Sequence, residues 1–158
     1  MKNKKSFINI VLVEPEIPPN TGNIGRLCVG LDISLFLVGK LGFSLKNKYL
    51  KRAGLDYWNH LKYYRYSSLE ELQDEFTDST FYYFSKKVEK IYYEANFKKG
   101  DFLVFGKETK GLPENLLEEN KQNSLKIPMR GKTRSLNLSN SVAIVTYEAY
   151  RQIKWEGK

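Results

Sequence analysis

Cysteine and histidine are nearly missing from this chain: its 158 residues include one of each, Cys28 and His60. One cysteine excludes an internal disulfide and a thiolate metal cluster, and a lone histidine beside it argues against a zinc site. Long apolar runs are missing too, none approaching the roughly 20 residues that a membrane-spanning helix needs. The start, "MKNKKSFINIVLVEPE", is basic and then apolar, but the apolar run is short and meets Glu14 instead of a small-residue cleavage site. It reads as a first strand rather than a signal peptide, and a cytosolic location is expected. The common nucleotide signatures are absent as well. There is no G-x-x-x-x-G-K-[ST], and Gly22 and Gly25 do not complete a G-x-G-x-x-G. Neither H-E-x-x-H nor G-x-S-x-G occurs.

What is present suits one globular domain over residues 1–158, with 41% hydrophobic and 28% charged residues. The formal net charge is +8. Such an excess favours a polyanionic partner such as RNA, DNA or an anionic surface, although a solubility charge or a lysine-rich codon usage would also produce it. Cys28 lies among apolar residues and reads as a packing residue. No role is assigned to His60.

Strands and helices alternate along the chain. Residues 7–13 form a continuous apolar run, as a strand buried on both faces would. A helix is expected over 22–31, a strand over 33–38, a short helix over 47–54 and a strand over 60–66. Ser68 and Glu71 form a capping box that starts a helix over 68–76. Strands at 80–84 and 102–106 flank a weaker helical stretch near 88–95. Pro113 suits the first turn of a helix over 113–120. A strand over 124–128 and a final helix over 139–154 complete the order, the latter carrying Leu138, Val142, Val145 and Ala149 at near-helical spacing. This alternation predicts an α/β fold, a mostly parallel sheet with helices on both faces. Ligands bind such sheets outside the carboxyl ends of the strands, which directs attention to loops 14–22, 39–46, 84–88, 106–112 and 128–138.

Three stretches carry the polar and glycine content. In "EPEIPPNTGNIGR" (14–26) the prolines stiffen a strand-to-helix turn, Asn20 or Thr21 can cap the helix, and Arg26 falls about one turn inside it. An arginine there opposes the positive end of the helix dipole, so it either faces an anionic partner or simply faces solvent. In "FGKETKGLP" (105–113) Gly106 would let a ligand approach the backbone, with Glu108 and Lys110 beside it; a plain turn into the next helix explains the glycine equally well. In "IPMRGKTRSLNLSNS" (127–141) Ser135, Asn137, Ser139, Asn140 and Ser141 precede an apolar helix. One cap needs one such residue, so the surplus points to a small polar ligand or to buried backbone that needs partners.

Together, "VEPEIPPNTGNIGRLC" (13–28), "LKRAGLDYW" (50–58), "FLVFGKETKGLP" (102–113) and "IPMRGKTRSLNLSNSVAIVTYEAYRQ" (127–152) resemble the SPOUT-superfamily RNA 2′-O-methyltransferases. The likeness is greatest to the TrmL-like bacterial branch that acts on the tRNA wobble nucleotide, and it runs essentially end to end. It implies a C-terminal deep trefoil knot over about residues 80–158, which periodicity could never suggest because knots are so rare. It implies S-adenosylmethionine as methyl donor, no metal, tRNA (leucine tRNAs among them) as substrate, and a homodimer whose active site combines both subunits. The donor positions carry over to Phe84, Gly106, Ile127, Met129, Ser135 and Leu136. Phe84 departs from the smaller aliphatic residue expected at its place, and Val88 stands where many relatives have glycine. Arg26 carries over as the catalytic residue. An arginine keeps its proton near neutral pH, so positioning a phosphate or stabilising a developing alkoxide suits it better than acting as a base. Tyr147 on the last helix is a second candidate, against the commoner case of a buried helix tyrosine. Lys46, Lys48, Lys51, Arg52 and Lys132 are candidate RNA contacts. Two alternatives stay open: the same chemistry on another tRNA or rRNA position, or a non-catalytic RNA-binding relative.

Overall fold

Strand β1 (Ile8–Val13) shows how the layers arise. Side chains alternate along a strand, so Ile8, Ile10 and Leu12 enter one hydrophobic cluster while Val11 enters another. The computed structural model describes residues 3–46, 48, 50 and 55–155. Besides β1, its strands are β2 (Ser34–Val38), β3 (Tyr63–Tyr66), β4 (Phe81–Phe84), β5 (Asp101–Phe105) and β6 (Ser124–Leu125). They form one six-stranded sheet in the order β3-β2-β1-β5-β4-β6. Every neighbouring pair is parallel, with Val11 opposite Phe36 on one side and Val104 on the other.

Helices α1 (Pro18–Leu31) and α4 (Leu138–Trp155) cover one face, where Ile24, Cys28, Val142, Val145 and Ala149 meet the β1 and β5 side chains. Helices α2 (Leu69–Glu75) and α3 (Glu114–Glu119) cover the other through Leu69, Leu72 and Leu117. The expected α/β class with helices on both faces is therefore what the chain adopts. Cys28 is fully buried, and burial pushes its thiol pKa far above the ordinary value, in keeping with packing. At the start of β1 the buried Asn9 side chain donates to the carbonyls of Ser6, Gly100 and Asp101 and accepts from the Ser6 amide at 2.8 Å. A buried amide so fully paired adds no desolvation penalty.

The expected helix near 88–95 is instead a single 3-10 turn, Tyr92–Glu94. The backbone of 90–92 is committed elsewhere: Lys126 donates to the Lys90 carbonyl at 2.8 Å, and Tyr92 donates to the Lys126 carbonyl at 2.9 Å. The same bonds shorten β6, because after Leu125 the chain leaves β4 to pair with this segment. Ser68 caps α2 as expected, the Glu71 amide donating to Ser68 Oγ at 3.1 Å, but the Glu71 carboxylate accepts from the Ser67 amide at 2.7 Å instead of closing the box on Ser68. The strand expected over 60–66 starts at Tyr63, because Leu55–His60 forms a 3-10 turn. The expected helix over 47–54 lies largely outside the described residues, as do Lys51 and Arg52. No described helix is long and apolar enough to cross a membrane.

Candidate active site

Helix α1 begins earlier than expected. Neither Asn20 nor Thr21 caps it: the N-cap is Ile17, without a side-chain cap bond, and Pro18 and Pro19 occupy the first helical positions. The prolines have no N–H to satisfy, so two of the orphan donors at the helix start do not exist. Arg26 is consequently the ninth residue of α1, past its middle, and does not face the positive end of the dipole.

Glu108 does the work expected of a cap. Its Oε1 accepts from the Glu16 amide at 2.9 Å, and its Oε2 accepts from the Ile17 amide at 2.6 Å and from Asn20 Nδ2 at 3.3 Å. A carboxylate placed here also complements the dipole of α1. Glu16 reciprocates, accepting from the Thr109 amide at 3.1 Å and its hydroxyl at 2.7 Å. These bonds hold the Glu16 carboxyl below the usual carboxylate range. The buried Asn20 accepts in turn from Asn137 Nδ2 at 3.0 Å. Asn137 caps α4, its Oδ1 taking the Ser139 amide at 2.9 Å. The first, second and third polar stretches are thus tied together at one edge of the sheet. Much of the polar surplus before α4 serves backbone that needs partners: Asn137 caps, and Ser141 Oγ donates to the Asn137 carbonyl at 3.2 Å.

Beyond the carboxyl ends of β4 and β5 and past β6 these loops enclose a cavity of about 760 Å³, within the ~300–1,000 Å³ typical of small-molecule sites. Phe84, Gly106, Ile127, Met129, Ser135 and Leu136 all line it, together with Ile17, Asn20, Glu108 and the lysines at 86, 87, 107 and 110. Phe84 and its register partner Phe105 stack at 4.7 Å with planes 12° apart, giving the cavity an aromatic floor. Gly106 is dictated by crowding. A Cβ there would lie 2.2 Å from the Gly111 carbonyl carbon and 2.4 Å from the Leu112 nitrogen. The loop closes on itself as the Gly111 amide donates to the Lys107 carbonyl at 2.8 Å, with Gly111 at φ +68°. Val88 packs against the opposite hydrophobic cluster and does not line the cavity.

Arg26 does not line the cavity of its own chain. It is exposed on α1, and its guanidinium sits over the Tyr57 ring at 5.1 Å. Tyr147 is 52% exposed, not buried, and also stands outside the cavity. Lys46, Lys48 and Lys132 are exposed. The capping role of Glu108 and the bridging role of Asn20 escaped the reading of the sequence. The consecutive prolines were the available signal, since a helix opening on them needs no ordinary side-chain cap.

A parallel sheet with a part-apolar, part-polar cavity at its carboxyl edge marks an α/β protein with room for a small molecule there. Residues 7–147 match the SpoU rRNA Methylase family, and the chain belongs to it. A Listeria innocua protein provisionally named tRNA (cytidine(34)-2′-O)-methyltransferase is 50% identical over 147 residues, 91% of this chain and 87% of that one. The tRNA (cytidine(34)-2′-O)-methyltransferase of Saccharophagus degradans is 43% identical, the match covering 96% of this chain and 99% of that one. A solved chain from work on "the 2-OH methylation of C/U34 on tRNA" superimposes with a TM-score of 0.87 at 43% identity, covering 93% and 96% of the two chains.

Proposed function

We propose that the protein transfers a methyl group from S-adenosylmethionine to the ribose 2′-hydroxyl of nucleotide 34 of tRNA, a cytidine or a carboxymethylaminomethyluridine, with leucine tRNAs as the substrates. The carrying observation is a coincidence: end-to-end identity of 43% with an enzyme of that name, and a cavity lined by all six residues that the resemblance assigns to the donor. The cavity fits such a donor. Phe84, Ile127, Met129 and Leu136 offer apolar surface to an adenine ring, while Gly106 and Ser135 leave backbone and hydroxyl groups for its polar edges. When bound, the sulfonium supplies an electrophilic methyl group with a good leaving group, which leaves alignment as the main task of the protein.

Arg26 is the catalytic residue in this reading, holding a phosphate or stabilising the developing alkoxide. Its place outside its own cavity agrees with a homodimer, each cavity being completed by Arg26 of the partner subunit. Ile144 and Tyr147, both exposed on α4, supply apolar surface for that association. The same reading takes the chain as one cytoplasmic domain, knotted over about 80–158, that reads tRNA with its own basic surface.

The test is incubation of the purified protein with methyl-labelled S-adenosylmethionine and tRNA from a strain deleted for this gene, followed by mapping of the labelled ribose. Label on nucleotide 34 is expected, and its loss in Arg26→Ala with donor binding intact. Label elsewhere assigns a different RNA position. Salt-sensitive tRNA binding without transfer at any pH makes the protein a binding module.

A further inference from the structure

We infer that Tyr57 is the positioning residue for Arg26: its ring is the seat on which the guanidinium is held for reaction. The inference rests on the reading of Arg26 as the catalytic residue. Among the described residues the Arg26 side chain makes no hydrogen bond and no ion pair, and its guanidinium lies over the Tyr57 ring, 5.1 Å from Cζ to the ring centre. That separation lies within the ~6 Å over which a ring face attracts a cation, and the planar guanidinium is suited to lying on it. A free arginine would lose rotamer freedom each time it met its target, whereas one already seated on a ring has that cost reduced beforehand.

The seat is built into the fold rather than left to a mobile side chain. Gly25, next to Arg26, faces the segment that carries Tyr57. A Cβ at Gly25 would lie 3.1 Å from Leu61 Cδ2 and 3.2 Å from Trp58 Cζ3, so the missing side chain lets this segment pack closely on α1. Trp58 is braced from behind by Tyr63 of β3, ring centres 5.5 Å apart. The glycine before the arginine and the tyrosine before the tryptophan thus form two adjoining contacts between the same elements: Trp58 on Gly25, and Tyr57 under Arg26. Tyr57 itself is 42% exposed and belongs to neither hydrophobic core cluster.

The test uses the full chain with tRNA from the deleted strain and measures single-turnover methyl transfer at saturating donor and tRNA. Tyr57→Phe keeps the ring and should retain the wild-type rate within about twofold, while Tyr57→Leu should lower it roughly five- to thirty-fold. Donor affinity and melting temperature should stay unchanged. In an Arg26→Ala background Tyr57→Leu should cost nothing further, because the seat then has no occupant. A wild-type rate in Tyr57→Leu overturns the inference. An equal loss in the Arg26→Ala background does so too, and assigns Tyr57 to direct RNA stacking. A loss in Tyr57→Phe as large as in Tyr57→Leu moves the role to the hydroxyl. If Arg26→Ala transfers methyl normally, the catalytic reading of Arg26 fails instead. The seat is then decided by NMR, where the Arg26 side-chain protons should carry a ring-current shift that Tyr57→Leu removes; no such shift in the wild type overturns it.

Discussion

The cavity edge and the outer face of α1 are built on opposite plans. At the cavity edge, Glu108 accepts three hydrogen bonds, Asn20 and Asn137 link two helix starts, and Gly106 has no room for a single added carbon. On the outer face, Arg26 is held by one ring contact and is otherwise open to solvent. The first region is over-determined by its own chain, as a pocket must be if it is to exist before its ligand arrives. The second is under-determined by its own chain, which suits a residue whose target lies on another molecule.

That contrast can be broken by substitution. Gly106→Ala should have the largest effect: the loop 106–112 must move, at about 3 kcal/mol or more. A fall in melting temperature together with loss of donor binding by calorimetry would register it, and a stable variant that binds donor normally would mean that the crowding at Gly106 is relieved cheaply. Glu108→Ala should cost about 2 kcal/mol, because the Glu16 and Ile17 amides lose their acceptor; denaturant titration reads this, and Glu108→Gln should recover part of it. Arg26→Ala should leave stability within about 0.5 kcal/mol of wild type, as an exposed residue does. A larger loss in melting experiments would show that the α1 face is structural after all.

A comparably small effect is expected far from both regions. The Tyr66 hydroxyl donates to Glu75, and Lys4 Nζ reaches it at 3.2 Å; the hydrogen bond from Tyr66 and then Lys4 hold the Glu75 carboxyl below its ordinary value. A lowered carboxylate pKa stabilises the fold above the ordinary value near 4.5 and loses that contribution as pH falls through the folded value. Because both side chains are partly exposed, Glu75→Gln should change the acid limb of the stability curve by less than about 1 kcal/mol. Melting temperatures measured between pH 3 and 6 check the sign.

Much of this was legible in the residues, for identifiable reasons. Apolar runs such as 7–13 announced strands buried on both faces, and "SLEE" announced the start of α2, because period and capping are local properties of a chain. Loops 106–112 and 128–138 were singled out because they follow the carboxyl ends of strands, and surplus asparagine and serine made the second stand out further. Long-range competition was not legible. Residues 90–92 look helical until Lys126 claims their backbone, and Asn20 looks like a cap until Glu108 supplies the acceptor from another loop. Phe84 looked out of place by comparison with its resemblance, yet its stacking on Phe105 gives it a partner of matching size.

By itself the sequence determined the class of fold, the edge of the sheet at which the cavity lies, and the family that the quoted stretches resemble, since all of these follow from local pattern and residue type. Only the tertiary structure decided that Gly106 is required by the backbone at Gly111 and Leu112, that Glu108 caps a helix some ninety residues before it, and that Arg26 rests on Tyr57 outside the cavity. Those are contacts between segments far apart in the chain, and no spacing within one segment can encode where another will arrive.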